Sequence, residues 1–143
     1  MKSLFAKYAV LDEVVHRIKE DDNYYWKIKP ATSGDDLARQ KFMYQERVRY
    51  VGTEAREFPL TSREIAHREL AITFAGTNIP ADVNIPVEDG GLPLISVDDS
   101  IEERERKIGE MPPNLVDELW YALGESVPGW GALPKKKTEK PTS

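Results

Sequence analysis

The stretch that most limits how this chain can fold is Asn23–Leu37, an alternating aromatic segment that runs straight into a helix start. Tyr24, Trp26 and Ile28 fall on one face of an extended segment, with Tyr25, Lys27 and Lys29 on the other. Pro30 offers no amide to a ladder and biases Lys29 toward extended geometry, so the strand stops there. Ser33 then provides a cap, and Asp35 and Asp36 suit the positive end of the helix that follows. A lone strand is not stable, so this one needs a neighbour. Two readings of the preceding residues stand side by side. In one, Val14–Ile18 is a strand and Lys19–Asn23 the turn of a hairpin. In the other, Leu4, Phe5, Tyr8, Leu11, Val14, Val15 and Ile18 recur at helical spacing. A helix is expected over the first dozen residues in either case.

The remaining elements follow from caps and breakers. A helix is expected from Gly34 to Val51, ending near Gly52, with a stripe of Leu37, Tyr44, Val48 and Val51 widened by Phe42 and Met43. Thr61-Ser62-Arg63-Glu64 is a capping box. Its helix carries Ile65, Ala66, Leu70, Ala71 and Phe74 toward a core and is expected to end at Gly76. Three prolines and Gly90-Gly91 forbid a continuous element from Thr77 to Val97, the segment expected to be most mobile. Ser100–Glu103 opens a charge-laced helix to Glu110, with Glu102–Arg106 and Glu103–Lys107 as i,i+4 pairs. Only Ile101 and Ile108 mark its apolar edge, which places it at the periphery. Pro112 and Pro113 then introduce a helix with Leu115, Val116, Leu119, Trp120 and Leu123 on one stripe before Gly124.

The fold class expected is mostly α within an α+β frame. It has four to five helices, one short aromatic strand or β-hairpin near residues 14–30, and a disordered C-terminal tail. Residues 1–133 read as one small helical domain, with 77–97 as a mobile loop and 134–143 as a basic tail.

Charge and composition exclude several function classes. Four lysines against Glu139 give residues 135–143 a charge of +3, which leaves −8 on the rest of a chain whose total is −5. An acidic body argues against general nucleic-acid binding, which needs clustered phosphate-neutralising charge. The absence of cysteine rules out disulfides, thiolate metal sites and a cysteine nucleophile. No run approaches the roughly 20 apolar residues of a membrane span, and Met1–Lys7 lacks a signal-peptide core, so a cytoplasmic protein is expected.

No catalytic set emerges. His16 and His67 have no metal-type spacing, and His67-Arg68-Glu69 lacks the cysteines of a zinc deaminase. Asp21-Asp22, Asp35-Asp36 and Asp98-Asp99 each sit beside a turn or helix start, where aspartate caps. Asp82–Pro86 begins like a calcium loop but has no glycine at the sixth place and no closing glutamate. Gly124–Gly129 is too long for a nucleophile elbow, and Gly129-Trp130-Gly131 has no βαβ context. The expected protein is non-enzymatic, without cofactor or metal.

Two segments carry a family resemblance. Tyr25-Trp26-Lys27-Ile28-Lys29-Pro30-Ala31-Thr32-Ser33-Gly34-Asp35 is an aromatic strand leading through a Pro/Thr/Ser turn into a helix. Leu119-Trp120-Tyr121-Ala122-Leu123 followed by Pro128-Gly129-Trp130-Gly131 is a helix closed by a Pro-Gly-Trp turn. Across residues 23–76 and 112–131 the chain resembles the tail assembly chaperones of long-tailed phages. The resemblance implies a largely helical protein of the infected cell's cytoplasm. Such a protein coats the tape-measure protein and helps recruit tail-tube subunits, and is absent from the finished virion. A tape-measure chain exposes repeated apolar helical faces, which a soluble, highly charged partner would cover. Partner binding is then expected through Trp26, Tyr44, Val48, Leu119, Trp120 and Trp130, with self-association left open. Lys135-Lys136-Lys137 is compatible with the frameshift site that many members use to make a longer form. The rival readings are another phage component (a head–tail connector or minor tail protein) and a bacterial adaptor.

Overall fold

The computed structural model of the protein describes residues 12–51, 53–57 and 60–132, and for 45–51 and 55–57 its backbone only. The expected N-terminal helix from Leu4 and the basic tail after Pro134 lie outside the described residues. In chain order the elements are β1 (Val14–Arg17), β2 (Tyr25–Ile28), α1 (Ser33–Arg47), β3 (Val48–Val51), β4 (Glu54–Glu57), α2 (Ser62–Thr73), β5 (Phe74–Thr77), α3 (Ile101–Ile108) and α4 (Pro113–Ser126). The chain is therefore mostly α, with a small antiparallel sheet.

The aromatic strand finds two neighbours. β2 is the centre of a three-stranded sheet ordered β1-β2-β5. The hairpin reading of residues 14–28 is the one realised, with Val14 opposite Ile28 and Arg17 opposite Tyr25. Its turn is held by Asp21, whose carboxylate accepts from the Asn23 amide at 3.1 Å. On the other edge Trp26 lies opposite Thr77 and Ile28 opposite Phe74, with a bulge between Lys27 and Ile28. The alternation works as expected, because Trp26 and Ile28 are sealed in the core while Tyr25 and Lys27 stay half-buried.

Two helices end earlier than their sequence pattern suggests. α2 stops at Thr73 rather than Gly76, and Phe74 begins β5. The reason is tertiary. β2 needs a second partner, and Phe74 meets Trp26 edge-on at 4.9 Å and 68° while Lys29 N donates to Thr73 O at 2.8 Å. α1 stops at Arg47 rather than Val51, and Val48–Val51 pairs antiparallel with Glu54–Glu57. β-Branched Val48 and Val51 prefer that extended geometry.

α3 is less peripheral than its thin apolar edge suggested. It lies along α2, with Ile108 fully buried, Arg68 Nε paired with Glu105 at 2.8 Å and Arg104 Nη1 donating to Ala71 O at 3.0 Å. The expected i,i+4 pairs are replaced: Arg106 pairs with Glu103 and Glu110, and Lys107 reaches Asp99 at 2.7 Å. α4 packs on α2, β1 and β2, and it continues through Gly124 instead of ending there. The irregular Thr77–Val97 segment holds one 3-10 turn, Val87–Asp89, and is cross-braced by Ala81 N to Leu92 O (2.9 Å) and Leu94 N to Ile79 O (2.7 Å). The core gathers Trp26, Ile28, Leu70, Phe74, Leu119 and Leu123 between sheet and helices.

Candidate functional site

The two segments that carry the resemblance meet in space. After α4, Pro128 and Gly129 occupy the central positions of a turn closed by Trp130 N donating to Val127 O at 3.1 Å. Gly129 has φ +81°, the left-handed conformation that the third position of a type II turn requires. The reversal drops Trp130 inward. Its ring lies under the guanidinium of Arg39 from α1, 4.3 Å from the ring centroid. Gly124 makes the return possible, because a Cβ there would stand 2.1 Å from Ala132 O.

At the bottom of this junction lies Glu69, only 3% exposed on α2. Its carboxylate accepts from Arg39 Nη1 at 3.0 Å, Trp120 Nε1 at 2.8 Å and Gly131 N at 2.9 Å. Arg39 also donates to Asp36 at 2.7 Å and to Gly129 O at 2.9 Å. A buried carboxylate without partners would cost several kcal/mol; here three donors surround it. The cluster ties α1, α2, α4 and the Pro-Gly-Trp turn into one clamp.

Above the clamp opens a cleft of about 420 Å³. One wall is the strand-to-helix turn Pro30–Ser33, the other is Val127–Trp130, and Val14 and Ile28 form the apolar floor. Asp12, Asp36 and Arg39 are its charged lining. Thr32, not Ser33, caps α1: its hydroxyl accepts from Asp35 N at 3.1 Å and its amide donates to the Asp35 carboxylate at 3.0 Å. The cap moves one residue back because Asp35 closes a reciprocal box with Thr32.

Of the expected stripe, Leu37 and Tyr44 on α1 face solvent. Arg39 and Phe42 face α2, where Arg68 sits 4.2 Å over the Phe42 ring. Leu37 is 52% and Tyr44 71% exposed, separated by two helical turns on the outer face. Of the residues expected to bind a partner, Tyr44 is therefore on the surface. Trp26 and Leu119 lie wholly in the core, Trp130 is buried beneath Arg39, and Trp120 is half-buried with its indole N–H given to Glu69. The side chain of Val48 lies outside the described residues. The clamp's centre was not anticipated. Its signal is that Glu69 falls inside the apolar stripe of Ile65, Ala66 and Leu70, where a solvated glutamate has no place.

His16 does structural work. His16 Nε2 lies 2.6 Å from Glu118 Oε2, which also accepts from Lys19 N at 3.1 Å, so the hairpin is fastened to α4. Burial, aided by Arg63, holds the His67 imidazole below its ordinary pKa. Asp99 is held below the usual carboxylate range chiefly by the Lys107 ammonium, and its carboxylate also accepts from Ser96 N. Among the described residues no group of three or more His, Asp or Glu is placed to hold a metal ion, and no helix is long and apolar enough to cross a membrane. No family model, curated protein or solved structure matches the chain.

Proposed function

We propose that this protein is a non-enzymatic assembly chaperone of the phage-tail type. In this reading it works in the host cytoplasm, covers an apolar helical face of a tape-measure protein and helps bring tail-tube subunits to it. The observation that carries the proposal is the outward stripe of α1. A 15-residue helix that turns Arg39 and Phe42 toward α2 while leaving Leu37 and Tyr44 in water offers those two side chains to another helix. The resemblance supplies the kind of partner. The acidic, highly charged remainder of the surface suits a protein that keeps an aggregation-prone chain in solution.

The test is co-expression with the tape-measure protein that this reading expects from a neighbouring gene. The wild-type chain is expected to keep that protein soluble and to co-purify with it. Leu37→Asp with Tyr44→Asp is expected to abolish both effects without altering the circular dichroism or melting temperature, since both side chains are exposed. Undiminished binding by a folded double variant would remove the α1 stripe as the docking face. Stoichiometric recovery of the protein in finished particles would instead favour a connector or minor tail component.

A further inference from the structure

The Thr77–Val97 segment is irregular, yet its backbone is held from base to tip. At the base, Arg104 Nη2 donates to Val97 O at 2.6 Å and its Nη1 to Ala71 O, so α3 pins the segment against the end of α2. Midway, Pro80 bridges Pro93 beside the Ala81–Leu92 hydrogen bond. At the tip, Ile85 N donates to Asp82 O at 3.0 Å, Asn84 N to the Asp82 carboxylate at 2.9 Å and Gly91 N to Pro86 O at 3.0 Å. Gly91 lies so close to Ile85 O that a Cβ there would stand 2.0 Å from it. A surface presented on such a frame loses little conformational entropy on binding.

The apolar side chains of this segment divide into two sets. Ile95 is buried, and Ile79 and Leu94 pack against the core. Val83 and Leu92 stand in solvent, 81% and 77% exposed, with Ile85 at 48%. The Ala81–Leu92 and Gly91–Ile85 approaches bring these three to the tip together. Scattered exposed apolar residues are ordinary, but three on one braced tip make a surface that binding would cover. Asp82, Glu88 and Asp89 belong to the same tip, and the sequence from Thr77 to Val97 holds no Lys, Arg or His. The partner that fits is therefore apolar and basic. We propose that residues 80–92 dock a basic amphipathic helix of a partner protein. Its apolar stripe lies on Val83, Ile85 and Leu92, and its lysines or arginines face Glu88 and Asp89. This surface lies on a different element from α1, and its test does not depend on the α1 reading.

The probe is a synthetic helix of about 18 residues built from Leu and Lys, set against its Leu/Glu counterpart. In titrations of the isotope-labelled full-length chain, the Leu/Lys helix is expected to shift the amide signals of Val83, Ile85, Gly91 and Leu92 saturably, and the Leu/Glu helix is not. Val83→Ser with Leu92→Ser is expected to weaken binding about tenfold, with the melting temperature unchanged because both side chains stand in water. Glu88→Gln with Asp89→Asn is expected to weaken it about threefold and to lower its salt dependence. The proposal is overturned if the Leu/Lys helix shifts none of these amides, or shifts only those around Leu37 and Tyr44 on α1, or if the serine variant binds undiminished. Equal shifts by both helices would overturn the basic partner. Concentration-dependent shifts at the same amides without any helix would assign the tip to a second copy and overturn the partner protein as occupant.

Discussion

At the scale of single residues, Glu69 is the most consequential side chain. It accepts from a guanidinium, an indole and a backbone amide that come from three separate parts of the chain. Removing one member of a buried pair leaves the other charge uncompensated, so Glu69→Ala is expected to destabilise the protein by roughly 3 kcal/mol. Urea unfolding measures this, and a loss below about 1 kcal/mol would mean that water already screens Arg39. The exposed Arg63–Asp117 contact at 2.8 Å should matter far less, because both groups are more than two-fifths exposed. His67 gives a pH dependence with a definite sign. Its folded pKa lies below 6.5, the ordinary value, so the unfolded chain takes up the proton first as pH falls. Stability is full above about pH 6.5 and declines below it, levelling once the folded imidazole also protonates. His67→Gln is expected to flatten the stability profile just below about pH 6.5, and an unchanged slope would assign it to other groups.

At the scale of elements, the ends of helices separate local from tertiary control. Thr61 was legible as a cap, and its side chain accepts from Glu64 N at 3.2 Å. Thr61→Ala is expected to cost about 1 kcal/mol in thermal or urea unfolding. Gly124 was read as a helix end yet lies inside α4, where glycine is ordinarily about 1 kcal/mol worse than alanine. Alanine should nonetheless destabilise this protein, because its Cβ would collide with Ala132 O and C at 2.1 and 2.8 Å. We expect Gly124→Ala to cost about 1–2 kcal/mol and to shift tryptophan emission to the red as Trp130 is lifted off Arg39. A stabilised variant with unchanged emission would show that the Val127–Ala132 turn yields freely. The difference between these two sites is instructive. A capping box is contact between residues three apart, whereas the reason for Gly124 is chain that returns only after a complete reversal.

At the scale of the whole molecule, Trp26 joins what the sheet and helices share. It is 0% exposed, stacks edge-on against Phe74 and sits on the central strand. Trp26→Ala should therefore cost roughly 3–5 kcal/mol, a large part of the 5–15 kcal/mol typical of domains, and be seen as a lowered urea midpoint. Any loss of partner binding in that variant is then expected to follow the unfolded fraction. A folded Trp26→Ala protein that had lost binding would instead make Trp26 a contact through a rearranged surface. The outward stripe of α1 makes the opposite case, since Leu37 and Tyr44 can change with the fold intact.

What the sequence by itself determined is the set of local decisions. The alternation of Tyr24–Ile28, the stop at Pro30, the caps at Thr61 and Ser100 and the start at Pro112-Pro113 rest on contacts within about four residues. The family resemblance picked out the strand-to-helix turn and the Pro-Gly-Trp turn without indicating that they line one cleft. Only the tertiary structure decided which side of α1 meets α2, where α2 gives way to a strand, and that Arg39, Glu69, Trp120 and Trp130 meet. Those outcomes depend on partners 30 to 90 residues away, such as Arg39 with Glu69 and with Gly129. A helical stripe states that a face is apolar; what covers it is settled by the rest of the chain, or by another one.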